Sequence, residues 1–257
     1  MSSVTVIKPG KSQYQQIADL LQERIQDGTY APGTLLPSEP ELSRELDVSR
    51  VTVNKAVTLL RASGQVKVRR GAGTFVRSLP KLNRDAVARF AARNQGTGAG
   101  QVEISKLNLQ SRTEYLHIGR VEAPAAVAEI LGERDVLIRS RRLFANDEPT
   151  QLADSYYSWA LTKDGPLTAA EVGKGGSYAR LADLGVGPVR FSEDVNVRMP
   201  YDIERDRLEI EASAPIFEIT HVAYAADDRP VSVTIHVMPG HLWTLRYTWD
   251  DPQESGQ

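Results

Sequence analysis

The first 77 residues carry three helical patterns followed by a β-hairpin, and this order of elements leaves few folds open. Apolar residues recur at spacings of three and four over 14–25 and again over 53–60. Such spacing places the apolar side chains on one face of a helix. The runs 65–69 and 73–77 are β-prone and flank Gly71, which is a hairpin signal. We therefore expect a winged helix-turn-helix.

A short second helix is expected to begin at Ser38. Ser38 can cap the helix N-terminus, and Glu41 stands three residues later, which is the arrangement of a capping box. A tight turn at 47–49 then leads into the third helix, which we expect to span about 50–62.

The composition changes after about residue 78. Residues 81–93 are polar and can form a helix, whereas 94–100 are too poor in side chains to pack. We therefore expect a DNA-binding domain at 12–78, a linker at 79–101 and a second domain at 102–250.

The second domain mixes strand and helix patterns, which predicts an α+β fold. Alternation predicts strands at 102–110, 135–145, 150–158, 188–199, 215–225 and 230–238, and helical spacing marks 124–131, 177–184 and 201–209. Residues 147–149 and 227–230 have the composition of hairpin turns, which favours an antiparallel sheet. The expected fold class is α/β two-domain, with a winged helix-turn-helix followed by an α+β antiparallel-sheet domain.

Charge is divided unevenly between the two parts of the chain. Residues 1–80 carry 11 Lys and Arg against 7 Asp and Glu, while the remainder carries 20 against 26. A basic head on an acidic body suits a protein that presents one end to phosphates. The chain contains no cysteine, and we see neither an apolar signal core near Met1 nor a run long enough to span a membrane. We expect a cytoplasmic protein whose basic end faces a polyanion such as DNA.

Three motifs in the first domain resemble the signature of the GntR superfamily of bacterial regulators. They are the stretches 36–39, 48–53 and 70–76. The resemblance implies that the third helix enters the major groove of an operator and that the wing tip approaches the minor groove. It also implies binding as a two-fold dimer to an inverted repeat.

Arg50 is the best candidate for reading a base, because a guanidinium can pair bidentately with guanine. A phosphate clamp is its alternative role, and a merely solvated hairpin is the alternative for the wing. The serines could contact phosphates or only cap helices, and Thr52 could contact a phosphate or a thymine methyl. The expected DNA contacts are Ser38, Glu39, Ser49, Arg50, Thr52, Asn54, Lys55, Arg69, Arg70 and Gly71.

Two positions depart from the usual pattern of the superfamily. Pro40 stands where members usually carry a basic residue, and Asn54 stands where they often carry an arginine. Asn54 follows Arg50 by one helical turn and could pair with an adenine instead. We therefore expect a changed half-site.

The second domain is similar to the UTRA effector domain of the HutC subfamily, whose fold is chorismate-lyase-like. The supporting stretches are 139–143, 147–149, 154–156, 176–178 and 229–231. The resemblance implies effector binding and dimerisation by residues 102–250.

Period-two geometry suggests where an effector would bind. Leu137, Arg139, Arg141 and Leu143 share one strand face, and Gln151, Ala153, Ser155 and Tyr157 share another. Arginines that face hydroxyl groups suit an anion, although surface pairing of these arginines with acidic residues is the alternative. The resemblance implies that Arg139 and Arg141 hold the anion and that the loop 175–178 completes the site. The expected effector contacts are Arg139, Arg141, Ser155, Tyr157, Gly176, Ser177, Tyr178, Tyr224 and Ser232.

Two of the expected pocket positions argue against a sugar phosphate. Relatives that sense phosphosugars tend to carry carboxylates where this chain has Ala153 and Ser232. We therefore expect a less polar pocket, for which an apolar or lactone-like metabolite or a small carboxylate is as suitable as a sugar phosphate. The effector is expected to be anionic or carbonyl-bearing, and a domain that has lost its ligand stays open.

The sequence offers little support for catalysis. The four histidines lack the spacing of a helical metal pair, and 173–177 lacks the upstream glycine and preceding strand of a phosphate-binding loop. His221 and His236 are expected to be cross-strand neighbours with a structural role. We expect no catalytic residues, no metal and no cofactor. The expected function is a dimeric repressor released from its operator by a small molecule. The alternatives are a ligand-independent repressor and an enzyme acting on a small acid.

Overall fold

The structure, a computed structural model, describes residues 10–69, 71–85 and 104–249. The chain divides into two compact units. The first comprises residues 1–80 with 199–205 and 210–215, and the second comprises 81–198, 206–209 and 216–257.

The first unit is the predicted winged helix-turn-helix. Its elements are α1 (Gln13–Gln26), α2 (Glu39–Glu45), α3 (Arg50–Ala62), β1 (Val66–Arg69) and β2 (Gly73–Val76). β1 and β2 form the antiparallel wing, and residues 33–36 run along β2 through backbone hydrogen bonds. The fully buried Leu21, Leu42 and Val53 join the three helices into one core. The expected helical faces are therefore confirmed.

Local capping fixes where α2 and α3 begin. Glu41 accepts hydrogen bonds from the backbone N–H and the hydroxyl of Ser38, at 2.8 and 2.6 Å. The hydroxyl of Ser49 accepts a bond from the backbone N–H of Thr52 at 3.2 Å. The bonds to the backbone N–H groups of Ser38 and Thr52 satisfy donors that a helix start otherwise leaves unpaired. The predicted starting points of α2 and α3 are therefore confirmed.

The second unit contains a six-stranded antiparallel sheet. Its strands are β4 (Ser111–Glu122), β5 (Asp135–Ala145), β6 (Glu148–Ser158), β7 (Arg190–Arg198), β8 (Ile216–Tyr224) and β9 (Pro230–Pro239), in the order β4-β5-β6-β9-β8-β7. A separate parallel pair joins β3 (Leu82–Asp85) to β10 (Trp243–Arg246). Its helices are α4 (Ala125–Leu131), α5 (Trp159–Thr162) and α6 (Gly176–Asp183), with a 3₁₀ turn at Pro166–Thr168, and α7 (Asp202–Leu208) is divided between the two units.

The two faces of this sheet carry different clusters. On one face Leu137 and Tyr157 pack with Leu167 from the 3₁₀ turn and Leu181 from α6. We call this the arginine face, because Arg139 and Arg141 follow Leu137 at every second position of β5 and therefore share its face. The opposite face packs against α4. Each face of the sheet is therefore covered by its own apolar cluster.

Two expectations about this unit are wrong. Ile104 and Ser105 lie in a helical turn, so the strand expected at 102–110 begins instead at Ser111. Residues 82–85 form β3, although they were expected in the linker and as part of a helical stretch. Pairing with β10 supplies the backbone partners that local sequence does not reveal. The rest of the expected linker, 86–101, lies outside the described residues.

The described parts of the chain contain no helix that is long and apolar enough to cross a bilayer.

Candidate functional site

The start of α3 presents side chains that the core does not use. Arg50 is the first residue of the helix and is exposed, and within the described residues its side chain makes no hydrogen bond or ion pair. Val51 beside it is 66% exposed. An uncommitted guanidinium beside an apolar side chain suits a base edge and a thymine methyl group. Val51 was missed because apolar residues on a helix are first counted as core.

Thr52 is half-buried and its hydroxyl is already paired. It lies 2.8 Å from the hydroxyl of Ser49. Both residues therefore serve the helix start.

Asn54 lies one turn beyond Arg50 and is held by α2. Its amide nitrogen donates to Oε1 of Glu39 at 2.7 Å. Lys55 instead places its ammonium 5.9 Å from the ring centre of Tyr14 on α1. Asn54 is thus fixed against α2, whereas Lys55 is not.

The wing brings its tip close to the start of α2. A groove of about 410 Å³ is lined by residues 35–41 and by 72–74 of the wing, and it includes Ser38 and Glu39. Gly71 has φ +77°, which favours glycine, and the guanidinium of Arg69 stacks 4.7 Å from the ring centre of Phe75. Arg70, also an expected DNA contact, lies outside the described residues.

The register of β5 and β6 confirms the shared faces expected from period-two geometry. Arg139 pairs with Ser155, and Arg141 pairs with Ala153. The half-buried guanidinium of Arg141 donates to the hydroxyl of Ser155 at 2.6 Å. That hydroxyl lies 2.8 Å from the hydroxyl of Thr234 on β9. Two hydroxyls joined by one hydrogen bond leave one O–H proton for another acceptor.

Arg139 is committed to the protein itself. Its side chain is 1% exposed and donates to the backbone carbonyls of Leu167, Ala169 and Ala170, and to the hydroxyl of Tyr115. The resemblance implied an anion-holding role for Arg139. In the structure its guanidinium instead holds the loop that follows the 3₁₀ turn. The carbonyl groups of this loop have no strand partner, and the guanidinium supplies their hydrogen-bond donors.

A row of polar residues crosses five strands of the arginine face. In register from β5 to β7 it consists of Arg139, Ser155, Thr234, His221 and Glu193. Directly paired residues of an antiparallel sheet share a face, so these side chains stand side by side. We call this set the polar row.

His221 is the best-connected member of the polar row. Its Nδ1 lies 3.0 Å from Oε1 of Glu193, and its Nε2 lies 2.9 Å from the hydroxyl of Tyr178 on α6. Its ring stacks on Phe191, with centres 5.6 Å apart. His236 is its diagonal neighbour, with ring centres 6.3 Å apart. Tyr178 thereby ties α6 to the polar row.

A cation from outside the sheet completes this network. Arg84 on β3 forms an ion pair with Oε1 of Glu193, and the side chains are 2% and 9% exposed. Burial alone would raise the pKa of Glu193. The hydrogen bond with His221 and the charge of Arg84 outweigh burial and lower this pKa to about 2.

The other expected effector contacts are distributed unevenly. Tyr157 and Ser232 are buried within the second unit, where Ser232 pairs with Ala223 of the arginine-face cluster. Gly176 and Ser177 form the first turn of α6. Tyr224 packs with the cluster on the opposite face, beneath the guanidinium of Arg190. The structure therefore does not bring Tyr224 together with the rest.

Polar groups lie near the expected effector positions on the arginine face. Glu193 and His221 supply a carboxylate and an imidazole to the arginine face, and Gln151 and His236 add a hydrogen-bonded pair at 2.6 Å. In the described ranges, no three His, Cys, Asp or Glu side chains are grouped as metal ligands.

Comparison with protein families identifies the family of this chain. A profile of the gntR family of bacterial regulatory proteins matches residues 13–76, and a UTRA-domain profile matches residues 106–242. The chain belongs to the GntR family and carries a UTRA domain. It is a transcriptional regulator with a DNA-binding helix-turn-helix, and the two-domain fold expected from the sequence is confirmed.

Full-length relatives agree with this family assignment. A regulator of the helix-turn-helix type from Streptomyces coelicolor is 27% identical, with 96% of each chain covered. The regulator YurK of Bacillus subtilis is 26% identical over 93% of this chain and 95% of its own. The crystal structure of PhnF from Mycobacterium smegmatis, 21% identical, covers 91% of this chain and 99% of its own with a TM-score of 0.58. That last likeness concerns the fold.

Proposed function

We propose that this GntR-family protein is a homodimeric repressor that leaves an inverted-repeat operator when a small organic anion binds on the arginine face. The observation that carries the effector part is the hydrogen-bonded series from Arg141 through Ser155 to Thr234. It sets a half-buried cation beside a hydroxyl proton that still needs an acceptor, and an anion satisfies both.

Arg141 is the primary anion-binding residue in this proposal. Within the described residues its guanidinium makes one hydrogen bond, to Ser155, whereas the guanidinium of Arg139 makes four. The first turn of α6 adds the backbone N–H groups of Ser177 and Tyr178. Arg139 acts indirectly by holding the loop that precedes α6.

The DNA part rests on α3 and the wing. Arg50 and Val51 reach base edges, Ser38, Ser49 and Thr52 contact phosphates or sugars, and Arg69 and Gly71 bring the wing to the minor groove. Two copies related by a two-fold axis read the two halves of the operator. The protein works in the cytoplasm and has no catalytic step.

The test measures operator release by effector. Operator DNA is first identified by footprinting the region that flanks the protein's own gene, and metabolite fractions are then screened for release by fluorescence anisotropy. We expect Arg141→Ala to keep operator affinity and to lose release, whereas Arg112→Ala, which removes an exposed arginine from β4, keeps both. Release that persists in Arg141→Ala would place the effector elsewhere.

A ligand-independent repressor is the other outcome of this screen, and it would appear as operator affinity that no fraction changes. Native mass spectrometry of the free protein and of its operator complex tests the dimer directly. Two chains per operator are expected, and one chain per operator would contradict the proposal.

A further inference from the structure

The six-stranded sheet ends in two edge strands, β4 and β7, which differ in how they are protected. An exposed edge presents unpaired backbone N–H and C=O groups that can pair with another strand, so proteins usually protect it with charges, proline or a bulge. β4 carries four charged residues and a register shift between Tyr115 and His117. β7 pairs with β8 along its whole length without a register shift, and within the described residues it has a strand partner on one side only. The outer edge of β7 is therefore open to another strand.

The exposed part of β7 is its second half. Residues 194–197 are exposed, and the side chain of Val197 is 65% exposed. The first half is covered, because Phe191 packs with the cluster of the arginine face and Glu193 is buried. Residues 194–197 contain neither lysine nor proline, and their valines favour strand pairing. A further strand would therefore add to the second half of β7.

The second half of β7 is complementary to a second copy of itself. Alternate residues of an edge strand direct their backbone groups outward, so an antiparallel pairing of β7 with itself must be centred on a residue. When it is centred on Asn196, Asp194 lies opposite Arg198 of the second copy, and two-fold symmetry repeats this ion pair. Val195 and Val197 also lie opposite each other, and this contact too occurs twice. Opposite charges and β-branched side chains in such cross-strand positions stabilise a sheet.

The charges of β7 disfavour the other registers. Centring on Asp194 would place that carboxylate opposite itself and Arg190 opposite Arg198, which are like charges. Centring on Ser192 would pair Arg190 with Asp194, but it would use the covered first half of the strand. The remaining centres pair no acidic residue with a basic one. The register centred on Asn196 is therefore the one that joins opposite charges across the exposed half.

The ion pair that Arg198 already makes is compatible with this register. Its Nη2 lies 2.6 Å from Oε2 of Glu218 on β8. A guanidinium has five N–H groups, so one arginine can bond two carboxylates. Asp194 of the second copy would then extend an existing pair rather than replace it.

We propose that β7 pairs with β7 of a second copy, centred on Asn196, so that the two UTRA domains are joined edge to edge in one continuous sheet. This inference rests on the proposed homodimer and assigns it a surface and a register. Because β7 also carries Glu193, the polar row of each copy ends on a strand of the interface.

Cysteine cross-linking of the full chain tests the register. The chain has no cysteine, so Asn196→Cys introduces a single thiol at the two-fold axis. Opposed residues of an antiparallel pair have Cα atoms about 4.5–5.5 Å apart, which is within the range of a disulfide bond. With oxidised glutathione as the oxidant, we expect Asn196→Cys to form a covalent dimer about tenfold or more faster than Thr113→Cys, because proximity favours the reaction. Thr113 is the control because it is an exposed residue of β4, the other edge strand.

Sedimentation of the full chain tests the surface. Val197→Lys places a charge on the paired edge, so we expect the dissociation constant of the dimer to rise about tenfold or more. Val189→Lys is the matched control, because Val189 is also 65% exposed but precedes β7. Asp194→Lys should weaken the dimer too, since it sets a lysine opposite Arg198 of the second copy. Asp147→Lys makes the same charge change in an exposed turn and should leave the dimer unchanged.

The results separate this inference from the proposed homodimer. Equal cross-linking of Asn196→Cys and Thr113→Cys, or a dissociation constant unchanged in both Val197→Lys and Asp194→Lys, would overturn the β7 pairing. Faster cross-linking of Ser192→Cys than of Asn196→Cys would overturn the register. If the parent chain is a dimer in any of these cases, the proposed homodimer stands and only this inference fails. One chain per operator in native mass spectrometry would mean that the homodimer itself is wrong.

Discussion

The side-chain amide of Asn54 on α3 donates to Oε1 of Glu39 on α2 at 2.7 Å. This bond uses one of the two amide N–H groups of Asn54 and leaves the other N–H and Oδ1 for DNA. A donor and an acceptor side by side match N7 and the N6 amino group of adenine, whereas guanine offers only acceptors in the major groove. The bond to Glu39 therefore orients the amide and leaves the expected bidentate pairing of Asn54 with adenine available.

We expect the half-site position opposite Asn54 to be adenine, with guanine costing about 1–3 kcal/mol. Glu39→Gln should relax this preference, because a glutamine amide can also donate to Oδ1 of Asn54 and so permit the reversed amide orientation. Selection from a half-site library randomised at each position measures the change. Glu45→Gln, on the same helix but paired with Arg24, is the control and should leave the preference intact. A guanine preference in the parent protein would contradict the orientation.

Replacing Arg50 with alanine should remove most discrimination while keeping weak binding. A lost bidentate base contact costs about 1–3 kcal/mol, roughly 5- to 150-fold in specific affinity, and the phosphate contacts remain. Affinities for operator and for scrambled DNA, each measured at several salt concentrations, separate the two effects. An unchanged ratio of operator to scrambled affinity would show that Arg50 only clamps a phosphate.

Arg139→Met should destabilise the second unit more than any surface change. It leaves the carbonyls of Leu167, Ala169 and Ala170 buried without donors, which costs roughly 3 kcal/mol or more in total. Urea denaturation measures the free energy of unfolding. Tyr115→Phe removes only one bond to the same guanidinium, so we expect a loss of about 1 kcal/mol or less. Equal losses in the two variants would mean that the carbonyl bonds contribute little.

Acid should weaken the fold partly through Glu193. Its pKa is lowered from an ordinary 4.5 to about 2 in the folded protein, so its contribution to stability is complete above pH 4.5. That contribution is lost as the pH falls from about 4.5 toward 2, because the unfolded chain takes up the proton first. The free energy of unfolding of Glu193→Gln, measured against pH, should fall less steeply over this window than that of the parent. Parallel curves would contradict the assignment, and Glu218→Gln serves as the control.

The strongly periodic segments of the sequence predicted helix positions and strand faces correctly. Helical spacing located α1 and α3, and period-two alternation gave the faces of β5 and β6, because each pattern reflects one buried side of one element. β4 was missed for a physical reason. It is an edge strand without a fully buried residue, and a register shift between Tyr115 and His117 interrupts its alternation.

The cluster of Glu193, His221 and Arg84 could not be predicted from local sequence. Glu193 and His221 meet only through the pairing of β7 with β8, and the two strands are joined by a long connection rather than a tight turn. Arg84 reaches them from more than a hundred positions away. Alternation can indicate which residues share a strand face, but it does not indicate which distant strand lies beside them.

The parallel pairing of β3 with β10 has a practical consequence for dissecting the protein. A fragment cut at the expected domain boundary of 102 would lack Leu82, which is fully buried, and Arg84. It would expose one edge of β10 and leave Glu193 without its cation. We expect such a fragment to be less stable than one that starts before Leu82, which keeps β3 paired with β10 and Arg84 paired with Glu193.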